Sequence, residues 1–367
     1  MAFIEKGDFD VNEFIAADRR KRSRRSRKMA SVLPIIGCVV AFILVMATCI
    51  VLYIRIDDGQ PKEQETMVNS EIPVMYTKEE MEAKALLSAQ TERQKVLDQL
   101  AESLNSGKTV VETLRTLYID NIVVASSGKY HFIPISDRLK KHNYSTENLL
   151  ISDGEIAYAV SGQPISHKGI DVSKYNGVID WSQVAADGVE FAFIRVGIRG
   201  YGSGKLVEDE GFEENVENAL SNGIKVGVYF FTQATTVEEA VEEAEFVKHI
   251  IAPYKIECPV VLDVEKVSDS EGRMNKISKE LRTQVVKTFC EEISKAGYQP
   301  MLYYNMEMGA LMLDLEQLEE YDKWFAYYNK DIYYPYDFKV WQYSDKGRVA
   351  GIEGDVDLNI AFEKIWE

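Results

Sequence analysis

Four acidic side chains sit in apolar, β-prone runs in the last 200 residues of this sequence. Asp171 is in GIDVS, Asp263 and Glu265 close PVVLDVE, and Asp357 lies in GDVDLN. Successive side chains of a strand alternate between its two sides, so Asp263 and Glu265 share one face. Burying unpaired carboxylates is costly, so packing alone is a poor reason for two acids at the end of an apolar run. A lone Asp at a strand end is commonly a cap or a surface charge, whereas four on one face point to function. Crowded carboxylates raise one another's pKa values, keeping one protonated near neutral pH while its neighbour stays ionised. Glycoside cleavage uses those two states, a general acid for the leaving oxygen and an anion for the developing positive charge. The competing use is a hard-metal site of oxygen ligands. No H-x-H, HExxH or D-x-[DN]-x-[DN]-G pattern supports it, and no metal or cofactor is expected.

The elements that must position these acids begin at Lys168. Strand candidates are GIDVS, FAFIRVG, IKVGVYFF, PVVLDVE, QPMLYYN, KWFAYY, FKVWQYS and DVDLNIAF, with helical patterns at Phe212–Asn222, Val237–Ile251 and Ser278–Ala296. Strands alternating with helices imply a parallel sheet with right-handed crossovers, and eight strands imply a closed barrel. Little helix separates the last strands. The fold class is therefore α/β, a modified TIM-like barrel with reduced late helices. Reactive groups of such barrels gather at the C-terminal ends of the strands, where all four acids are expected. Residues 298–343 hold fourteen aromatic side chains in forty-six. Rings with a polar edge suit stacking on sugars, and Tyr229, Tyr303 and Trp341 are the candidates nearest strand ends. VGIRGYGSG matches no phosphate-binding loop and reads as a barrel loop.

The first half of the chain organises differently. Residues 32–54 run 23 positions without a charge, enough for a helix to cross a bilayer, and lack a small-residue cleavage site. The preceding RRKRSRRSRK carries eight basic residues in ten, which places the N-terminus in the cytoplasm. The expected organisation is a basic tail (1–31), a membrane helix (32–54), a linker and helical stalk (55–107), a small α+β module (108–166) and the barrel (167–367). The stalk pattern fits either an oligomerising coiled coil or an amphipathic helix packed on the next module. In the module, Ser126-Ser127-Gly128 and Ser152-Asp153-Gly154 mark hairpins. The histidines there are scattered and suggest no ligand set.

Composition narrows the function classes. The chain has 367 residues, 42 Lys and Arg, 59 Asp and Glu, and a net charge of −17. That balance excludes nucleic-acid binding through bulk positive charge. Four cysteines are too few for a disulfide scaffold. Cys258 and Cys290 would pair only if their Cβ atoms approached to about 4 Å. The −17 divides unevenly, because residues 1–31 carry nine basic and five acidic side chains and everything after them is strongly acidic.

KGIDVSKYNGVIDWSQVAADGVEFAFIRVG, followed by VGVYFF, PVVLDVE, PMLYYN, WQYS and DVDLN, resembles glycoside hydrolase family 25, the Chalaropsis-type lysozymes. The likeness spans residues 167–366 and says little about 1–166. It implies an N-acetylmuramidase that cuts the β-1,4 bond between N-acetylmuramic acid and N-acetylglucosamine in peptidoglycan. On that resemblance Glu265 is the general acid and Asp263 steadies the substrate acetamido group. Asp171 and Asp357 hold the pair's protonation and the sugar, and Gln342 joins the substrate-binding candidates. Whether Asp263 acts instead as a nucleophile stays open at this stage. One departure is Phe230, where many relatives carry His, which bears on the shape of the cleft. The alternative is a membrane-anchored barrel that binds glycan without cutting it.

Overall fold

A computed structural model describes residues 76–268 and 272–366. The basic tail, the apolar run 32–54 and most of the linker lie outside the described residues. Among the described residues no helix is long and apolar enough to cross a membrane.

Helix α1 (Lys78–Asn105) opens the described chain and α2 (Val110–Leu117) follows it. Thr109 caps α2 and Glu112 answers it, a reciprocal capping box. Strands β1 (Asn121–Ser126) and β2 (Lys129–Pro134) form one hairpin. Strands β3 (Leu149–Ser152), β4 (Glu155–Val160) and β5 (Gln163–Pro164) form a separate small sheet. Both expected turns are present. Ser127 and Gly128 have φ of 51° and 71°, and Asp153 and Gly154 have 52° and 87°, so both central residues of each turn are left-handed.

The barrel consists of β6 (His167–Val172), β7 (Phe191–Arg199), β9 (Lys225–Phe231), β10 (Val260–Asp263), β11 (Pro300–Asn305), β12 (Asp322–Ala326), β13 (Val340–Gly347) and β14 (Val356–Ala361). A short strand β8 (Leu206–Glu208) folds back on the end of β7. The order β6–β14–β13–β12–β11–β10–β9–β7 closes through pairing of β6 with β7. Helices α3 (Trp181–Ala186), α4 (Phe212–Ser221), α5 (Val237–Ile251) and α6 (Lys279–Lys295) serve the early crossovers. Only two short helical turns, Met308–Met312 and Leu315–Leu318, separate β11 from β12. The barrel with reduced late helices is the architecture read from the sequence.

One element departs from the parallel expectation. Strand β14 runs antiparallel to both β13 and β6. Eight residues separate β13 from β14, fewer than the dozen or so a parallel crossover needs, so the chain turns back as a hairpin. Asp357 therefore reaches the reactive face from the start of its strand, opposite Asp171 in register.

Two apolar layers result. Phe191, Phe193, Val261, Met301, Trp324 and Val340 fill the inside of the barrel, while the helices cover its outside. Glycines make room within: a Cβ on Gly169 would lie 2.2 Å from the Phe191 ring, and one on Gly227 2.6 Å from Phe193. Residues of the 108–166 segment, among them Ile122, Val124, Ile156 and Tyr158, belong to the same apolar cluster as the outer barrel layer. Helix α1 behaves otherwise. Its Met81, Leu86, Leu87, Val96 and Leu97 are exposed and Ser103 is its one buried residue, so it is not packed on the neighbouring segment. Cys258 and Cys290 are buried and unpaired, with burial pushing both thiols up.

Candidate active site

The inward rows of the strands converge on a cleft of about 410 Å³. Asp171 of β6, Asp263 of β10, Glu265 just beyond it and Asp357 of β14 all line it. Tyr229, Tyr303 and Gln342 line it too. Strand alternation brings them together: two-residue steps select Gly169 and Asp171, Gly227 and Tyr229, Met301 and Tyr303, Val340 and Gln342. In β7 the pairing slips between Arg195 and Gly197, a bulge that lets both Arg195 and Ile198 face the cleft.

Asp171 is almost fully buried, and its Oδ2 accepts two amide hydrogen bonds, from Gln342 Nε2 and Asn359 Nδ2, each at 2.8 Å. Both amides are themselves fixed. Tyr303 and Tyr328 hydroxyls donate to Gln342 Oε1 at 2.7 and 2.8 Å, and Trp324 Nε1 donates to Asn359 Oδ1 at 2.7 Å. The amide orientations, and hence a carboxylate at Asp171, are thereby set by a closed network. Burial still raises the Asp171 pKa, to about 6, with the amide bonds opposing it. Asp357 is raised further, to about 9, by burial and then by the Asp171 charge. The two acids are hydrogen-bonded, so at neutral pH Asp357 carries the proton and Asp171 the charge.

Asp263 and Glu265 form the second pair. Burial raises Glu265, while the nearby Tyr303 hydroxyl opposes the rise. Burial also pushes Asp263 well above the ordinary range, followed by the Glu265 and Asp171 charges. Asp263 Oδ1 is buried and has no hydrogen-bond partner. An acceptor held this way costs stability unless something else satisfies it. Among the described residues that line the cleft, Arg195 is the one cation, and it lowers Asp263. Its guanidinium is held from behind by Asp209 at 2.6 Å, and its carbon lies 5.0 Å from the centre of the Tyr175 ring.

Two expectations fail on side-chain direction. Trp341 does not line the cleft: it neighbours the inward Gln342 and so points to the outer layer, where Nε1 donates to the Tyr327 carbonyl at 2.8 Å. Phe230, between the inward Tyr229 and Phe231, is likewise buried outside the barrel, so the missing His does not shape the cleft. Trp341→Phe is therefore expected to lower stability by about 1 kcal/mol, the worth of one buried hydrogen bond. KM should stay within about twofold; a KM rise of tenfold at unchanged stability would return Trp341 to the cleft.

The sequence reading overlooked Arg195, Trp324, Tyr328 and Asn359. Two of them were accessible by counting in twos: Asn359 from Asp357, and Arg195 from Phe191 and Phe193. Tyr328 lies beyond the end of β12, where no strand period applies.

Comparison with known proteins bears on the same strands. The sequence model of Glycosyl hydrolases family 25 matches residues 170–352. A protein of Escherichia coli K12, YegX, described as uncharacterized, is 30% identical over 202 residues, covering 52% of this chain and 68% of that protein. An autolytic lysozyme of Clostridium acetobutylicum is 26% identical over 197 residues, covering 52% of this chain and 55% of that protein. Among solved structures, a family 25 glycosyl hydrolase from Bacillus anthracis aligns with a TM-score of 0.45 at 25% identity, covering 58% of this chain and 96% of that one. The match begins at the strand that carries Asp171 and runs past the strand that carries Gln342, and on it the chain belongs to glycosyl hydrolase family 25.

Proposed function

We propose that the chain is a muramidase that hydrolyses the β-1,4 bond between N-acetylmuramic acid and N-acetylglucosamine of peptidoglycan. Family membership and the likeness to an autolytic lysozyme support the substrate class. The observation that carries the reading is the buried, unpartnered Asp263 Oδ1 beside a carboxyl whose pKa burial raises. In this reading Glu265 gives its proton to the departing glycosidic oxygen. Asp263 Oδ1 accepts the N–H of the 2-acetamido group and turns its carbonyl oxygen onto the anomeric carbon. The carbon–oxygen bond to the leaving sugar breaks as the carbonyl bond forms. Glu265, now ionised, then takes a proton from the water that opens the cyclic intermediate. The Asp171–Asp357 pair holds one charge and one proton beneath the reacting sugar. Tyr229, Tyr303 and Gln342 form the wall against which that sugar rests.

The same proposal places the enzyme at the membrane. The apolar length of 32–54 and its basic flank support a single span, with the N-terminus cytoplasmic and the barrel outside. Helix α1 would then be a stalk, and its exposed apolar residues the surface for any stalk-mediated oligomer, with 108–166 a module seated on the barrel. Protease added to intact protoplasts should digest the barrel; full protection of it would refute this topology.

The direct test of the activity is incubation of the purified full-length chain with peptidoglycan, followed by assay for new reducing ends. Their steady appearance supports hydrolysis. Binding of the polymer without any release would favour a scaffold that holds glycan without cutting it.

A further inference from the structure

The family match starts at residue 170, yet a side chain from well before it holds a residue next to the cleft wall. Arg115, on α2, donates from Nη1 to the Tyr327 hydroxyl at 2.8 Å. Its guanidinium also lies over the rings of Tyr333 at 4.3 Å and Tyr327 at 5.3 Å. The Tyr327 hydroxyl accepts a second bond, from Asn329 Nδ2 at 2.8 Å, and the Tyr327 carbonyl accepts from Trp341. Tyr327 is thus fixed at its hydroxyl and at its backbone. Its neighbour Tyr328 faces the opposite way, into the cleft, and donates to the Gln342 oxygen whose amide nitrogen holds Asp171.

We infer that Arg115 is a positioning residue for the hydrolase site, acting through Tyr327 on Tyr328, Gln342 and Asp171. It touches neither the cleft nor the acids. A Tyr328 that is half-exposed and lies beyond the end of β12 has no strand neighbours to fix its backbone, so pinning residue 327 pins residue 328. The β1–β2 hairpin is anchored on a second rim loop in the same way. Ser126 Oγ donates to Glu307 Oε1 at 2.6 Å, and the same oxygen receives Lys266 Nζ at 2.7 Å, one residue after Glu265. The segment before the family-matched region therefore supports the cleft from two sides. This inference rests on the proposed hydrolase reading of Asp171 and Glu265.

The test uses the full-length chain and compares Arg115→Ala, Arg115→Lys, Tyr327→Phe and the Arg115→Ala/Tyr327→Phe double variant on peptidoglycan. Arg115→Ala and Tyr327→Phe should each lower kcat about tenfold with KM within threefold, and the double variant should be no worse than the poorer single. Arg115→Lys, which retains a donor, should recover part of the loss. If Arg115→Ala does not fold, Tyr327→Phe alone decides, since it removes one hydroxyl and keeps the ring. Parental kcat in a folded Arg115→Ala or in Tyr327→Phe overturns the inference, as do strictly multiplicative losses in the double variant. Glu265→Gln run alongside separates the two claims: if it remains active, the assignment of Glu265 as general acid has failed rather than the role of Arg115.

Discussion

Glu265→Gln should lower kcat on peptidoglycan about 100- to 10,000-fold, the usual worth of a positioned general acid. The amide is nearly isosteric but has no proton to give, so substrate binding should survive and KM should change little. Stability should not fall. Burial already raises the Glu265 pKa, so the native site holds this group against its preference for water. A neutral amide removes that cost, and the melting temperature is expected to stay level or rise, as at other sites where function opposes stability. Activity within threefold of the parent, measured by reducing-end release with residual wild type excluded, would remove Glu265 from its assigned role.

Arg199→Ala should cost about 3–5 kcal/mol at neutral pH, because it strands a buried charge. Arg199 and Glu243 are both buried, and Arg199 Nε donates to Glu243 Oε1 at 2.7 Å. Thr232 donates to the other Glu243 oxygen, also at 2.7 Å. The guanidinium binds the Gly204 and Glu239 carbonyls as well, so it joins the loop after β7 to helix α5 above the barrel rim. Burial raises the Glu243 pKa from 4.5 to about 7 even with this partner. A carboxyl whose folded-state value lies above its unfolded value favours folding most below the unfolded value, and that advantage fades as pH rises through the folded one. Loss of Arg199 raises the folded value further. The variant's deficit in denaturant melts should therefore be smaller at pH 5 than at pH 8. An equal deficit at both pH values, or one below about 1 kcal/mol, would contradict this account of the pair.

Much of the barrel was legible because its periods are clean. Each of the eight apolar runs became a strand, and Val237–Ile251 formed the helix its spacing implied. The acids were legible because each lies in or at the end of such a run. A strand end fixes where a residue sits but not which way its side chain points. Trp341 and Gln342 are neighbours, so only one of them could face the cleft, and the polar residue won because its partners lie there. The antiparallel course of β14 follows from a short connection, a length visible in the sequence but outweighed by the expectation of a uniform parallel barrel. The contacts of Arg115 and Glu307 join residues about 180 to 210 positions apart, and no local pattern announces them.

As a muramidase, the cleft should cut peptidoglycan on the reducing side of N-acetylmuramic acid. Peptidoglycan digested by the full-length chain can be reduced with borohydride, hydrolysed, and analysed for the sugar alcohol formed at each new end. The alcohol of muramic acid should appear, and should be absent from the Glu265→Gln digest. The alcohol of glucosamine as the main product, or no new reducing end at all, would contradict the muramidase reading.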